Sequence, residues 1–291
     1  MSDPLVSGLV IVDKPQGLTS HGVVARVRRM AGTRKVGHAG TLDPMATGVL
    51  VVGVNRATRL LGHLMLTEKG YDATIRLGVA TTTDDAEGEV TAQTSAAGVA
   101  ESAVHTALAA FVGRIEQVPT AVSAIKVDGK RAYQRVRDGE EVELKARPVT
   151  IHELAVHEFR REGEFLDVDV TVRCSSGTYI RAIARDLGLA LGVGGHLTAL
   201  RRTAVGEFGF DVARTIEQLD DEFVMLPIAE AARRSFAALD LSEEQASSVR
   251  VGRRLDLELA TATALFAPDG EFLALYEPSS SGAKPVAVFV G

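Results

Sequence analysis

An aspartate held in a loop of fixed shape is a candidate nucleophile or base, and the stretch GHAGTLDPMATGVLVVGV, residues 37–54, presents one. Pro44 follows Asp43 and biases it away from helical dihedrals. Gly37, Gly40 and Gly48 permit tight turns or close approach of another backbone. The apolar run 49–54 reads as a buried strand, so the loop is fixed to a rigid element. A turn whose Asp43 only caps backbone amides would have the same composition. A second candidate lies in CSSGTYIRAIARDLG, residues 174–188. A strand ending at Cys174 turns through Ser175-Ser176-Gly177 into a helix that begins near Thr178 and carries Tyr179, Arg181 and Arg185. Arg181 falls in the first helical turn, where a cation gains nothing from the helix dipole. It calls for a carboxylate or phosphate partner, or else is a surface arginine in a salt bridge worth little. Tyr71, in KGYDATIRLGV, shares one face of an alternating strand with Ala73, Ile75 and Leu77, as a core aromatic or a site residue.

Metal and nucleotide chemistry are poorly supported. In HELAVHE the histidines, His152 and His157, are five apart, and on a strand they point to opposite faces. LGVGGH, residues 191–196, has glycines but neither the phosphate-loop lysine nor dinucleotide spacing, and reads as a helix end and turn. Cys174 is the only cysteine, so no intrachain disulfide forms, which fits a reducing cytosol. It reads as a small buried thiol.

The elements around these residues mix without a regular βαβ repeat. A strand covers GLVIVDKPQG (8–17), and a helix with Ser20 as N-cap covers 20–32, with Val23, Val24, Val27 and Met30 on one face. Helices are predicted over 56–65, 99–113 and 178–191, and two antiparallel strands over VTIHELAVHEF and EFLDVDVTVRC. HLTALRRTAVGEF leads into another strand. The polar insert 120–148 holds a hairpin-like KVDGKR turn and little core pattern. From about Ala232 the runs are short and alternating, as in a small β-barrel or sandwich, which puts a domain boundary near 231–242. The fold class is therefore α+β, around a mixed, largely antiparallel sheet flanked by helices, with a small C-terminal β domain.

The chain has 291 residues and a net charge of −6, which at first argues against a nucleic-acid partner. Binding depends on local patches, however. Basic residues cluster at 26–38, 126–137, 201–206 and 250–254, and acidic ones at 82–89, 217–222 and 240–244. Each run alone reads as a solvated face. No apolar run reaches the ~18 residues of a membrane span, and the acidic N-terminus lacks the basic region and cleavage site of a signal peptide.

Taken together, GHAGTLDPMATGVL with Asp43, KGYDATIRLGVATTTDD with Tyr71 and CSSGTYIRAIARDLG with Arg181 resemble the three active-site motifs of the bacterial tRNA pseudouridine-55 synthases of the TruB family. VDKPQGLTSHGVV resembles that family's N-terminal Lys-Pro motif, and HLTALRRTAVGEF its Leu-Arg-Arg stretch. The resemblance runs in order over nearly all of residues 8–230. It implies a pseudouridine synthase domain over 1–232 with a thumb-like RNA-binding insert at 120–148. Residues 233–291 match less well; they imply a small PUA-like RNA-binding domain, although the tail is short for one.

By the same resemblance Asp43 is the catalytic carboxylate, Arg181 keeps it ionised and oriented, and Tyr71 packs on the uracil and could take part in proton removal. Burial raises a carboxyl pKa and an adjacent guanidinium lowers it, by roughly 1–3 units. His38 would fill the space left in the RNA by the flipped base. RNA contacts would come from Lys14, Tyr179, Lys126, Lys130, Arg131, Arg135, Arg201 and Arg202, with disorder of the thumb expected without RNA. The isomerisation neither oxidises nor transfers a group, so no cofactor or metal is expected. The implied partner is the tRNA T-arm, with no membrane, and the chain is expected to be a cytoplasmic monomer. Three rivals remain: a guide-RNA-dependent synthase subunit, an RNA-folding factor with incidental catalysis, and a carboxylate glycosidase. The insert disfavours the first, and the want of a second suitable carboxylate disfavours the last.

Overall fold

The computed structural model describes residues 6–120, 126–127, 130–131 and 144–290. The chain divides into two compact units. One holds Met1–Leu42, Val49–Met65 and Gly206–Gly291; the other holds Asp43–Gly48 and Leu66–Val205.

The second unit is built on five antiparallel strands in the order Gly195–Val205, Lys69–Leu77, Phe165–Cys174, Arg147–Glu162, Gly113–Gln117. Strand alternation decides what faces inward. Tyr71, Ala73, Ile75 and Leu77 are buried with Val168, Val170 and Val172 from the neighbouring strand. Each buried Val, Ile or Leu among them contributes roughly 1.5–3 kcal/mol by leaving water. The opposite face is polar and cross-linked: Thr171 donates to Asp72 at 2.7 Å, Thr74 to Asp169 at 2.7 Å, and Arg76 to both oxygens of Asp167 at 2.7 Å. The helix Ile180–Ala190 packs on the buried face through Ile180, Ile183, Ala184 and Leu187. Its Gly188 lies in backbone contact with the following turn: a Cβ there would stand 2.1 Å from the Gly194 carbonyl carbon.

Thr47 and Gly48 add in parallel to Arg201 and Arg202, so the sheet is mixed but largely antiparallel. Gly48 has φ +99° and its missing Cβ would lie 2.2 Å from the Arg202 carbonyl oxygen. We expect Gly48→Ala to destabilise the protein by about 2 kcal/mol or more, since neither backbone can yield cheaply. Urea unfolding checks this; a midpoint unchanged from the parent chain would contradict it.

In the first unit, Gly8–Lys14 pairs antiparallel with Leu226–Pro227 and lies beside the Thr47–Val54 strand, on which Val36–His38 also pairs. The helix Ser20–Ala31 buries Val23, Val24 and Val27. Its N-cap is Thr19, whose hydroxyl accepts from the Gly22 N–H at 2.9 Å; Ser20 is the first helical residue instead. The Ser20 hydroxyl is used elsewhere. It accepts from the Leu42 N–H at 2.8 Å and donates to the Leu42 carbonyl at 3.0 Å, pinning the residue before Asp43.

The helix predicted over 56–65 is a 3₁₀ turn, Asn55–Arg59, followed by the single α turn Leu61–Leu64, with Asn55 left-handed at φ 55°. The C-terminal tail forms one four-stranded sheet, Ala237–Asp240, Thr263–Phe266, Phe272–Ser279 and Gly282–Val288 in spatial order. Among the described residues it is a single sheet rather than two facing sheets or a closed barrel, and its partner is the helix Glu243–Arg250, which starts at a capping box of Ser242 and Gln245. Ala246 and Val249 of that helix complete a core with Leu265, Leu273 and Tyr276.

Candidate active site

Arg181 organises the site. The start of its helix is fixed by a reciprocal amide pair: the Tyr179 N–H donates to Gln117 Oε1 at 2.8 Å, and Gln117 Nε2 donates to the Tyr179 carbonyl at 3.1 Å. Tyr179, itself half-buried, is the N-cap position, so the helix begins two residues later than expected and Arg181 is its second residue. A cation there opposes the helix dipole. Two carboxylates offset that cost. Nη2 lies 3.0 Å from Asp43 Oδ2, and Nη1 donates to Asp85 Oδ2 at 3.1 Å and to the Thr83 carbonyl at 2.9 Å.

The two carboxylates differ in exposure. The Asp85 side chain is 3 % exposed and the Asp43 side chain 36 %, so Asp43 is open to a ligand while still paired. Asp85 is held by the Thr83 hydroxyl at 2.5 Å and the Glu87 N–H at 3.1 Å. Its neighbour Asp84 takes a left-handed φ of 60° and reaches Arg185 Nη1 at 3.5 Å. Burial pushes the Asp84 carboxyl up to about 6, against the pull of Arg185 and Arg181.

Tyr71 stands on the central strand, 7 % exposed, directly across from Arg202 in the register. Burial raises its phenol pKa, while Arg202 works in the opposite direction. Two residues away on the same face, Lys69 is buried and donates to the Thr67 carbonyl at 2.7 Å; burial, then Arg202, bring its pKa down to about 8. Burial also pushes the Cys174 thiol, beside Lys69, up to about 11.

Several expected RNA contacts are placed differently. Arg202 is 1 % exposed, because alternation turns it inward opposite Tyr71, so it presents no charge to a phosphate. Lys14 is fully enclosed; its ammonium donates to the Pro15 and Leu18 carbonyls at 3.0 and 2.7 Å and shapes the turn before the first helix. Arg201, on the other side of its strand, is half-buried and donates to the Thr47 hydroxyl at 3.3 Å. His38 is half-buried, with its ring edge against His21 at 5.5 Å. Lys126–Val127 and Lys130–Arg131 pair as an antiparallel hairpin. The side chains of Lys126, Lys130 and Arg131, and all of Arg135, lie outside the described residues. Arg26, Arg28, Arg29, Arg34 and Lys35 are exposed.

Sequence reasoning missed Asp85, which sat in an acidic run read as a solvated face. Among the described residues no three His, Cys, Asp or Glu side chains converge as metal ligands. His152 Nε2 lies 3.2 Å from Glu68 Oε1, and His157 Nε2 2.8 Å from the Thr171 hydroxyl. No helix among the described residues is long and apolar enough to cross a membrane.

Residues 28–180 match the family described as TruB family pseudouridylate synthase (N terminal domain). Residues 181–237 match tRNA pseudouridylate synthase B C-terminal domain, and 236–290 match tRNA Pseudouridine synthase II, C terminal. A protein named tRNA pseudouridine synthase B from an Arthrobacter species is 61% identical over 98% of this chain and 97% of its own length. One of the same name from Thermobifida fusca is 59% identical over 99% of this chain and 100% of its own. Among solved structures, a chain of a Cbf5-Nop10-Gar1 complex is 26% identical with a TM-score of 0.74, covering 97% of this chain and 85% of that one. A chain of an H/ACA RNP bound to a substrate RNA containing 2'-deoxyuridine is 25% identical with a TM-score of 0.73, over 98% and 85%. The chain belongs to the TruB family of pseudouridylate synthases.

Proposed function

We propose that this chain converts uridine 55 in the T-loop of tRNA to pseudouridine, with Asp43 as the catalytic carboxylate. The observation that carries this reading is the Asp43–Arg181 ion pair at 3.0 Å, anchored on its inner side by Asp85 and open on its outer side at Asp43. The reaction breaks N1–C1′ and forms C5–C1′; the proton on C5 leaves and N1 gains one. Nothing is oxidised, so the balance calls for no redox partner.

The target uridine must leave the folded loop, at a cost of a few kcal/mol that stacking and edge hydrogen bonds return. In this reading Tyr71 packs on the extruded uracil and His38 fills its place in the RNA. Arg181 holds Asp43 ionised as the base displaces water, since a guanidinium favours the charged form. The names of the curated relatives support tRNA as the substrate. Residues 233–291 would act as a PUA-like RNA-binding domain beside a catalytic region over 1–232. The chain would work as a monomer in the cytoplasm, where tRNA is modified.

The exposed Arg26, Arg28, Arg29, Arg34 and Lys35 would hold phosphates. Affinity for RNA should therefore fall on the order of 10²–10³-fold between 50 and 200 mM salt, despite the acidic net charge. Filter binding across that range checks this, and a flat salt dependence would contradict it.

The likeness to a chain solved in an H/ACA RNP gives a rival reading, activity only inside a ribonucleoprotein. The purified chain and a bare T-arm hairpin separate the two. Conversion at the position equivalent to 55 with no other macromolecule supports the stand-alone enzyme. Intact binding with no conversion would overturn it.

A further inference from the structure

Two arginines of one helix grip three consecutive residues of one loop. Arg181 and Arg185 lie four apart on the helix Ile180–Ala190, so they share a face, one turn apart. Like charges at that spacing repel. The loop that carries Asp84 and Asp85 offsets this. Arg181 Nη1 donates to the Thr83 carbonyl and to Asp85 Oδ2, and Arg185 Nη1 lies 3.5 Å from Asp84 Oδ2. Asp84 reaches Arg185 from a left-handed φ of 60°, which is costly for a residue other than glycine and persists only where its surroundings hold it. Its carbonyl is held as well, accepting from the Leu197 N–H at 3.0 Å. Arg185 also binds a third segment. Nη2 donates to the Val118 carbonyl at 2.7 Å and Nη1 to the Pro119 carbonyl at 3.5 Å, at the two residues that lead into the insert 120–148. Nε donates to Asp186 Oδ1 at 2.8 Å, so each of the three nitrogens is engaged within the protein.

We propose that Arg185 is a positioning residue for the catalytic pair: it ties residues 83–85 and the end of the strand Gly113–Gln117 to the helix, and so holds Asp85 where Arg181 can meet it and still reach Asp43. Arg181 divides its guanidinium between Asp43 and Asp85, at 3.0 and 3.1 Å. A shift of the loop that carries Asp85 therefore turns the guanidinium away from Asp43. Loss of Arg185 permits such a shift, because a contact that offsets the backbone cost of Asp84 is gone. It also leaves the Asp84 carboxylate to compete for Arg181. A phosphate contact would not account for Arg185, whose donors are already spent on the loop, the strand end and Asp186. The inference rests on the reading above that Asp43, oriented by Arg181, does the chemistry.

Single-turnover conversion of a T-arm hairpin by the full chain tests it, with RNA affinity and urea unfolding alongside. Arg185→Gln should slow conversion at saturating RNA about tenfold or more and leave the dissociation constant within about twofold. Asp84→Asn removes only the charge on the loop side; it should slow the same step about threefold or more, and it serves if the glutamine variant does not fold. Added to Arg181→Lys, Arg185→Gln should cost less than about twofold further, because the group it positions is already displaced. Three results would overturn the proposal. One is a parent-like rate for Arg185→Gln with a lowered urea midpoint, which marks a merely structural arginine. Another is weakened binding with a salt slope reduced by about one, the mark of a phosphate contact. The third is a loss that multiplies in full with that of Arg181→Lys, since Arg185 would then act on its own. Asp43→Asn run beside these variants keeps the two readings apart: should it convert the hairpin at the parent rate, the underlying reading fails, and the proposal with it.

Discussion

Asp43→Ala is expected to lower single-turnover pseudouridine formation by on the order of 10⁴-fold or more, with RNA affinity within about twofold of the parent chain. A carboxylate that forms or assists the reacting bond has no substitute nearby. Asp85 is 3 % exposed and already committed to Arg181, Thr83 and Glu87. Affinity should persist because phosphate contacts are spread over many basic residues. The variant should also fold. Arg181 retains Asp85 and the Thr83 carbonyl, so removing Asp43 does not strand a buried cation, and stability should change by no more than about 1 kcal/mol. Asp43→Asn, which keeps the shape, should be as inactive as the alanine. Turnover by either variant at more than trace rates would show that another group does the chemistry.

Arg181→Lys is expected to be far more damaging than an exchange of like charges suggests. The guanidinium spans two carboxylates, one per terminal nitrogen, at 3.0 and 3.1 Å. An ammonium is a single point charge and cannot hold both in that geometry. If it stays with the buried Asp85, Asp43 loses its orientation and its cation. The ionised form of Asp43 is then less favoured, so the acid limb of the pH–rate profile should move to higher pH and the loss should be greatest at low pH. The rate near neutrality should fall about 10²-fold. Stability should fall by about 1–3 kcal/mol, because a buried partner is left under-satisfied. Single-turnover rates against pH at saturating RNA, with urea unfolding alongside, measure both. A wild-type rate and profile would mean the pair is not used in catalysis.

Much of this arrangement could be read from residue types. Alternation in KGYDATIRL put Tyr71 on the buried face, and the same rule made antiparallel partners of the 147–162 and 165–174 segments. The demand of Arg181 for a carboxylate followed from its place at a helix start, and the structure supplies two. Which two was not legible. Asp85 meets Arg181 only because its segment bridges Leu197, more than a hundred residues on, and an acidic run carries no mark of such burial. Arg202 was misread for a related reason. Arg201 and Arg202 look equivalent as a basic pair, and only strand register decides which turns inward. Lys14 was misread because the Lys-Pro turn curls its own carbonyls around the ammonium. Short-range chemistry chose Thr19 over Ser20 as the cap, since Ser20 is engaged by Leu42.

The central claim is that this chain makes pseudouridine 55 in tRNA through Asp43. Mapping pseudouridine in total tRNA from cells lacking the protein, complemented with either the parent chain or Asp43→Asn at equal abundance, tests it most directly. The account predicts that the modification at position 55 returns with the parent chain and not with Asp43→Asn, while other pseudouridine positions are unchanged in both. Full modification at position 55 with Asp43→Asn, or its presence in cells lacking the protein altogether, would contradict it.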